Sequence, residues 1–231
     1  SLYGGLSAVA WTDIIQVFFL ILGGIVTTYL ALDTVSGGQG IIEGFKSIYN
    51  AVPEKFDMIL DESNPEYNNL PGLGVLIGGM WVANIYYWGF NQYIIQRTLA
   101  AKSLKESQKG ILFAAGLKMI MPLIIVIPGI AAYVIVNDPQ ILSSLGDSAL
   151  ANIPGEGAND KSYPWLMQFL PTGLKGIAVA ALAAAIVSSL ASMLNSTGTI
   201  FTMDIYRQTF NKNASEKQMV TTGRISAAIA L

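Results

Sequence analysis

Long apolar runs separated by charged loops dominate the sequence. A helix needs roughly 20 mostly apolar residues to cross the hydrocarbon core of a bilayer, and the pattern contains four complete runs of that kind and the start of a fifth. Backbone polar groups cannot stay unpaired in lipid, and no period-two alternation is present, so we predict helices rather than a barrel. The predicted spans are about residues 7–32, 71–96, 110–136, 172–203 and 220–231, and the outer loops are about 33–70 and 137–171.

The charged residues of the loops predict the orientation of the spans. Lys and Arg accumulate after the second span and after the fourth, so by the positive-inside rule both of these loops face the cytoplasm. The loops after the first and third spans carry mainly Asp and Glu and are predicted to lie outside. The basic residues behind this prediction are Arg97, Lys102, Lys105, Lys109, Arg207, Lys212, Lys217 and Arg224.

Composition narrows the class of protein. Charged residues make up 12% of the 231 residues and hydrophobic residues 52%, whereas soluble domains carry about 25% charged residues. We therefore predict an all-α membrane protein. The absence of Cys and His excludes disulfides, thiolate metal sites and the commonest general base, and the net charge of −2 gives no indication of a nucleic-acid partner. The chain starts without Met and ends in an apolar run, so we expect an internal part of a longer protein.

The second predicted span carries polar and aromatic residues at its centre. Asn84, Tyr87, Trp88 and Asn91 are spaced i, i+3, i+4 and i+7, which places them on one face of a helix. One amide is explained as a hydrogen bond between helices, and aromatic residues also form interfacial belts. Two amides and aromatic rings on one stripe indicate a ligand cavity that suits a sugar, because amides bind hydroxyls and a ring packs on the sugar's C–H face.

Two charged residues lie within predicted spans. Asp13 is several residues inside the first span, where a carboxylate is costly and faces water or protein. It is either a step on a cation path or a solvated or paired residue near the inner interface. Lys118 lies about 12 Å above the predicted inner end of the third span by helix geometry, too deep to snorkel. It either donates hydrogen bonds to a polyol or forms an ion pair between helices.

The fourth predicted span is rich in hydroxyl side chains. Ser188, Ser192, Asn195 and Thr199 share one face, and Ser189 lies on the adjacent one. Hydroxyl and carbonyl oxygens are hard ligands that suit an alkali cation. Serines also bond back to a carbonyl of their own helix, which is the alternative for any single one of them.

These residues carry a resemblance to a known family. The segments WVANIYYWGFNQYIIQRTLAAKS and AALAAAIVSSLASMLNSTGTIFTMDIY, with Lys118 between them, resemble the sodium/solute symporter family and, within it, the bacterial sodium/glucose-type cotransporters. The resemblance runs along the whole chain. It implies the leucine-transporter type of inverted repeat, in which two five-helix halves form a core with sites near the midplane. The chain would supply the last helix of the first half and the first three of the second.

The resemblance also implies roles for a sugar substrate. It implies that Asn84 and Lys118 bond sugar hydroxyls and that Tyr87 stacks under the sugar as part of an inner gate. It gives no sugar role to Asn91. The remaining sugar ligands of the family lie on helices outside this sequence, so the identity of the solute stays open.

A second set of implied roles concerns the coupling ion. The resemblance implies that the Ala185 carbonyl and the hydroxyls of Ser188 and Ser189 contribute to a sodium site. It implies that Asp13 takes part in sodium release toward the cytoplasm. Sodium is thus expected to be transported together with the solute.

The expected function is secondary active transport, without an enzymatic reaction. We expect sodium-coupled symport of a hexose, galactose or glucose, by alternating access in a plasma membrane, specifically a bacterial inner membrane. The expected partners are the sugar, sodium and the lipid bilayer. Three alternatives stay open: a sodium symporter for another solute (myo-inositol, a sialic acid, proline, pantothenate or an anion), a sugar sensor or channel without coupled transport, and a purely structural bundle.

Overall fold

The computed structural model describes residues 5–68, 72–146, 150, 152–155 and 159–231, and every regular element in these ranges is a helix. The α-helices are α1 (Gly5–Val35), α2 (Ile41–Ala51), α3 (Met80–Ile85), α4 (Gln92–Leu99), α5 (Leu104–Asn137), α6 (Pro139–Ser144), α7 (Ser162–Leu166), α8 (Thr172–Ile200) and α9 (Glu216–Ile229). The 3₁₀ turns are Pro53–Phe56, Pro65–Asn68, Asn159–Lys161 and Met167–Phe169, and the π-helices are Val75–Gly79, Tyr86–Phe90 and Phe201–Phe210.

Three helices among the described residues are long and apolar enough to cross a membrane. They run over Ser7–Val35, Leu104–Asn137 and Thr172–Phe210, at the places of the first, third and fourth predicted spans. Large apolar side chains on these helices stay exposed, as Phe18 does at 63% and Val187 at 64%. Exposed apolar surface of this extent suits contact with lipid or with other membrane helices.

The second apolar run is interrupted. A single span over about 71–96 is expected from hydropathy, and its first residue, Pro71, lies outside the described residues. The described part consists of a π-helix, α3, a second π-helix and α4, with a break at Asn91. Asn91 has an extended backbone (φ −77°, ψ 111°), and its side chain accepts a hydrogen bond from the Tyr93 amide at 3.1 Å. Asn91 therefore caps a new helix instead of continuing the stripe that begins at Asn84.

Short polar side chains start the helices outside the spans. Asp138 accepts hydrogen bonds from two backbone amides at the start of α6, and Pro139 follows at the first helical position. Ser215 and Gln218 form a reciprocal capping box at the start of α9. Such caps pair amides that would otherwise lack a partner in the first turn, so they fix where each helix begins.

The chain forms two compact units. The first unit contains the chain up to Val17 together with Gly78–Phe113 and Leu182–Leu231. The second unit contains Phe18–Ile77 and Ala114–Ala181. The long helices α1, α5 and α8 each contribute to both units, so the polar side chains of one helix are divided between them.

A hydrophobic core holds the second unit together. Short helices α2 and α7, which lie within the two predicted outer loops, pack against the ends of α1 and α5. Burying such apolar side chains contributes about 1.5–3 kcal/mol each before the entropy cost. The core consists of Ala31, Leu32, Val35, Ile48, Ile130, Ala131, Ala132, Val134, Ile135, Trp165 and Leu166.

Two close contacts tie the outer helices to α1 within this unit. Gly44 of α2 lies against the backbone carbonyl of Leu32, where a Cβ atom would collide with it. Tyr163 of α7 bonds to the hydroxyl of Thr27, which is 1% exposed. Burial raises the pKa of the Tyr163 phenol, and the hydrogen bond to Thr27 partly opposes that shift. The phenol is thus held in its neutral, hydrogen-bonding form.

Candidate functional site

The carboxylate of Asp13 joins three helices within the first unit. Arg97 on α4 donates from its Nη2 atom to Asp13 Oδ2 at 2.6 Å. The hydroxyl of Ser188 on α8 donates to the other carboxylate oxygen, Oδ1. The side chain of Asp13 is 23% exposed and that of Arg97 is 36% exposed. Asp13 is therefore a paired carboxylate, and its role in sodium release stays a prediction.

A buried set of hydrogen bonds continues from this pair along α8. Arg97 Nη2 also donates to Ser192 Oγ at 2.7 Å, and Ser192 is fully buried. Gln96 Nε2 donates to the carbonyls of Ser192 (3.2 Å) and Tyr93 (3.0 Å). Asn195 Nδ2 donates to Gln96 Oε1 at 2.8 Å. We call Asp13, Gln96, Arg97, Ser188, Ser192 and Asn195 the polar network.

The periodicity of α8 explains how one helix serves the polar network. Ser188, Ser192 and Asn195 are spaced i, i+4 and i+7, so their side chains point the same way, and the structure brings them to Asp13, Arg97 and Gln96. The fourth member of this predicted face, Thr199, bonds back to the Asn195 carbonyl at 2.9 Å. Thr199 therefore bonds within its own helix, whereas Ser188, Ser192 and Asn195 have side-chain partners on α1 and α4.

The predicted sodium ligands lie on one turn of α8 in the first unit. Ala185 and Ser189 are half-buried, and Ser188 is 9% exposed. Because the Ser188 hydroxyl donates its proton to Asp13, the lone pairs of its oxygen remain for a cation. The structure thus places one predicted sodium ligand in contact with the predicted release carboxylate.

The predicted sugar face lies on α3 and the following π-helix. Asn84 Nδ2 donates to the Met80 carbonyl at 2.8 Å, and Asn84 Oδ1 accepts from Trp88 Nε1 at 3.3 Å. The rings of Tyr87 and Trp88 meet edge to face, with their centroids 5.1 Å apart. Tyr87 and Trp88 are 41% and 48% exposed, so this face is open in the described chain.

Lys118, the third predicted sugar-binding residue, lies on α5. It is an exposed residue of α5 and belongs to the second compact unit, whereas Asn84 and Tyr87 belong to the first. Its shared role with Asn84 therefore stays a prediction. Pro122 and Pro128 follow it inside α5, which continues through both to Asn137.

Comparison with known proteins identifies the family. The model of the sodium:solute symporter family matches residues 1–231, which is the whole chain. This chain belongs to the sodium:solute symporter family. The family assignment confirms the resemblance drawn from the two long motifs, and with the three apolar helices it makes the chain part of a membrane protein.

Relatives within the symporter family differ in the solute that they are named for. The chain is 63% identical to the sodium/glucose cotransporter of Vibrio parahaemolyticus over 231 residues, covering all of this chain and 42% of that relative. It is 34% identical to human sodium/myo-inositol cotransporter 2 over 237 residues, covering 96% of this chain and 34% of that relative. The chain thus spans less than half the length of these relatives.

A solved structure of a symporter supports the fold. A Na+-coupled sialic acid symporter in a substrate-bound outward-open state matches 99% of this chain and 45% of its own, with a TM-score of 0.78 and 24% identity. At this identity the match establishes the fold. It confirms the prediction of an all-α membrane protein that forms part of a leucine-transporter-type core.

Sequence reasoning missed two members of the polar network. By sequence, Arg97 counts among the loop charges that predict orientation, and Gln96 is the last residue of the second predicted span. A signal was present, because a carboxylate at membrane depth needs a partner. The predicted topology puts the start of the first span and the end of the second on the same side. Arg97 is the first cation after the second span, so it was the natural partner for Asp13.

Proposed function

We propose that this chain forms part of a symporter that couples the entry of sodium to the uptake of a hexose by alternating access. The contact between Ser188 and Asp13 is the observation that carries the proposal. We further propose that the protein lies in the plasma membrane of a bacterium, in line with the Vibrio relative. Sodium and the sugar are its transported partners, and it catalyses no covalent reaction.

The sodium path rests on the chemistry of one hydroxyl. Ser188, Ser189 and the Ala185 carbonyl offer neutral oxygen ligands, which bind an alkali cation without the cost of a buried charge on the protein. Asp13 lies one hydrogen bond away from Ser188. A sodium ion that leaves the neutral ligands therefore meets a carboxylate next. In the predicted orientation this carboxylate lies toward the cytoplasm, which gives the step its direction.

The sugar assignment rests on the amide of Asn84. A side-chain amide has two N–H donors and two acceptor lone pairs. Met80 and Trp88 take one donor and one lone pair, so one of each remains for a hydroxyl group. Tyr87 places an aromatic ring on the adjacent turn, suited to the C–H face of a sugar. The amide and the ring favour a polyhydroxylated solute, and the role of Lys118 rests on the family resemblance alone.

Coupling needs only that sodium and sugar prefer the same conformation. Each ligand then raises the affinity for the other, and the coupling free energy is reciprocal. The membrane potential adds about 2.3 kcal/mol per elementary charge for each 100 mV. No covalent step is required for accumulation of the sugar.

A second solute has specific support. Human sodium/myo-inositol cotransporter 2 is 34% identical to the chain and covers nearly all of it. Myo-inositol, like a pyranose, is a six-membered ring that carries several hydroxyl groups, but its ring is all carbon and it has no hydroxymethyl group. A side-chain amide and an aromatic ring suit either solute, so measured uptake decides between them.

Uptake by the full-length protein tests the proposal. We expect proteoliposomes to accumulate labelled galactose or glucose under an inward sodium gradient and not when choline replaces sodium. Equal uptake in both media would refute the coupling. Accumulation of myo-inositol, with no uptake of either hexose, would leave the coupling intact and refute the sugar assignment.

The Ser189→Ala variant tests the sodium ligands. Losing one hydroxyl ligand is expected to raise the sodium concentration for half-maximal uptake about threefold to tenfold, the equivalent of one modest polar contact. Thr197→Ala is the matched control, because it removes an exposed hydroxyl from the same helix, one that donates to the Met193 carbonyl at 3.0 Å. Equal sodium dependence in the two variants would remove Ser189 from the site.

A further inference from the structure

We propose that Arg97 acts as a tethered cation at Asp13, competing with sodium for the carboxylate and so setting how easily sodium is released. The inference rests on the proposed function, because it assigns a role to a residue beside the proposed sodium path. Arg97 is a positioning residue in this scheme. Arg97 does not bind the sodium ion itself; it affects the ion by binding the same carboxylate, that of Asp13.

The geometry at Arg97 is that of a bound cation. A single terminal nitrogen, Nη2, donates to a carboxylate oxygen of Asp13 at 2.6 Å and to the hydroxyl oxygen of Ser192 at 2.7 Å. Carboxylate and hydroxyl oxygens are hard ligands of the type that an alkali ion also takes. The guanidinium is charged at every physiological pH, so this cation is permanently present. Arg97 therefore occupies the carboxylate oxygen of Asp13 that a passing sodium ion would need, and Ser192 anchors the guanidinium there.

Hydrogen bonds of Gln96 hold helix α4 against α8, while the side chain of Arg97 on the same helix stays accessible to water. The neighbouring residue Gln96 is 5% exposed and binds α8 through the Ser192 carbonyl and Asn195. The side chain of Arg97 is 36% exposed. A long side chain with this exposure can withdraw its charged end into water without moving α4. The guanidinium can thus release Asp13 while Gln96 keeps its bonds.

Electrostatics then requires competition. One carboxylate compensates one cation, and a second positive charge within about 4 Å of the first costs several kcal/mol in the partly screened environment near a protein surface. Sodium bound to Asp13 therefore weakens the ion pair between Asp13 and Arg97. In the same way, the return of Arg97 to Asp13 weakens the binding of sodium to this carboxylate. The return of the guanidinium favours dissociation of the sodium ion. Sodium therefore does not stay bound to the carboxylate of Asp13.

A purely structural ion pair makes a different prediction. It would hold α1, α4 and α8 together, and its loss would lower stability without tightening sodium binding. A tethered cation predicts tighter sodium binding and slower turnover when the charge is removed. Arg97→Lys keeps the charge and is expected to stay close to the unmodified protein in both properties, which separates charge from shape.

Sodium binding to the full-length purified protein, measured with radioactive sodium in the absence of sugar, is the decisive experiment. We expect Arg97→Gln to lower the half-saturating sodium concentration by roughly fivefold or more, the lower end of typical coupling between sites, and to lower the maximal rate of uptake. Arg207→Gln is the matched control, because Arg207 is exposed and lies outside the polar network. Its sodium affinity is expected to be unchanged.

The outcomes separate this inference from the proposed function. Unchanged or weaker sodium binding in Arg97→Gln overturns the inference and leaves symport untouched. Tighter binding in that variant, with no coupled uptake by the unmodified protein, supports the inference and refutes the symport. If the unmodified protein binds no sodium, both fail. If Arg97→Gln does not fold, Ser192→Ala replaces it as the deciding variant. It removes the hydroxyl that accepts the second hydrogen bond of the guanidinium, so sodium binding is expected to tighten. An unchanged sodium affinity in this variant overturns the inference.

Discussion

Replacing Trp165 with alanine is expected to lower the free energy of unfolding of the full-length protein by about 3–5 kcal/mol. Trp165 is 2% exposed and belongs to the core of the second unit, with Ile48, Ile135 and Leu166. Its ring also meets the ring of Phe169 edge to face, with the centroids 5.2 Å apart. The expected loss of stability has two parts: the transfer free energy of the removed side-chain atoms, and the cost of a cavity that helices α1 and α5 are too rigid to fill. Denaturant unfolding in detergent measures it.

Trp81 provides the matched control for this substitution. It is 64% exposed on α3 and is not part of the core of the second unit, so Trp81→Ala removes the same side chain and leaves that core intact. Its effect on unfolding is expected to stay within about 0.5 kcal/mol, as for most exposed positions. Similar losses for the two variants would mean that α7 does not pack as described. The larger loss at Trp165 would show that the outer helices α2 and α7 stabilise the ends of the long helices.

Hydropathy was sufficient for the long helices. In α1, α5 and α8 the apolar run is long and the backbone must satisfy its own hydrogen bonds, so only one regular structure is available. The short outer helices α2 and α7 also carry a local signal, because each places apolar residues within an otherwise polar loop. These features depend on residues near one another in sequence, and a pattern of apolar positions contains that information.

Hydropathy was insufficient for the second apolar run. The average apolarity of residues 75–90 depends only on which residues are present, so it is the same whether a turn is α-helical or π-helical. The difference lies in local hydrogen bonds, above all the capping of the Tyr93 amide by Asn91. π turns are frequent at functional sites, and here one carries Tyr87 and Trp88. The stripe expected from an ideal helix therefore holds from Asn84 to Trp88 and ends there.

The polar network could be predicted only in part. The sequence shows that Ser188, Ser192 and Asn195 share a face and that Asp13 is costly at membrane depth. It does not show that these groups meet, because Ser188 and Asp13 are separated by 175 positions. Pairing over that distance is decided by how α1 and α8 pack. The partner of an intramembrane charge must therefore be sought by predicted depth and side, and by that rule Arg97 qualifies.

The Asn84→Ala variant is expected to raise the sugar concentration for half-maximal uptake about tenfold to a hundredfold, with sodium affinity in the absence of sugar unchanged. One amide donor and one lone pair remain beside the bonds to Met80 and Trp88, and losing both contacts to hydroxyls costs about 1–3 kcal/mol. The effect belongs to the sugar alone, because the predicted sodium ligands lie on α8. Sugar dependence of uptake at saturating sodium measures it.

Val82→Ala is the control for this substitution, since Val82 lies on the same short helix, is 72% exposed and offers no hydrogen bond. A shift of equal size in both variants would mean that α3 itself had been disturbed.

Trp88→Phe refines the test, because it removes the indole N–H that donates to Asn84 Oδ1 and keeps an aromatic ring. If Asn84 binds sugar, its side chain is less well oriented once the hydrogen bond from Trp88 is lost. The sugar concentration for half-maximal uptake should then rise roughly twofold to fivefold, as expected for one long hydrogen bond. This factor is smaller than the one expected for Asn84→Ala. Unchanged sugar dependence in both Asn84→Ala and Trp88→Phe would move the sugar away from this face, whereas a graded response would place the open lone pair and donor of Asn84 in the binding cavity.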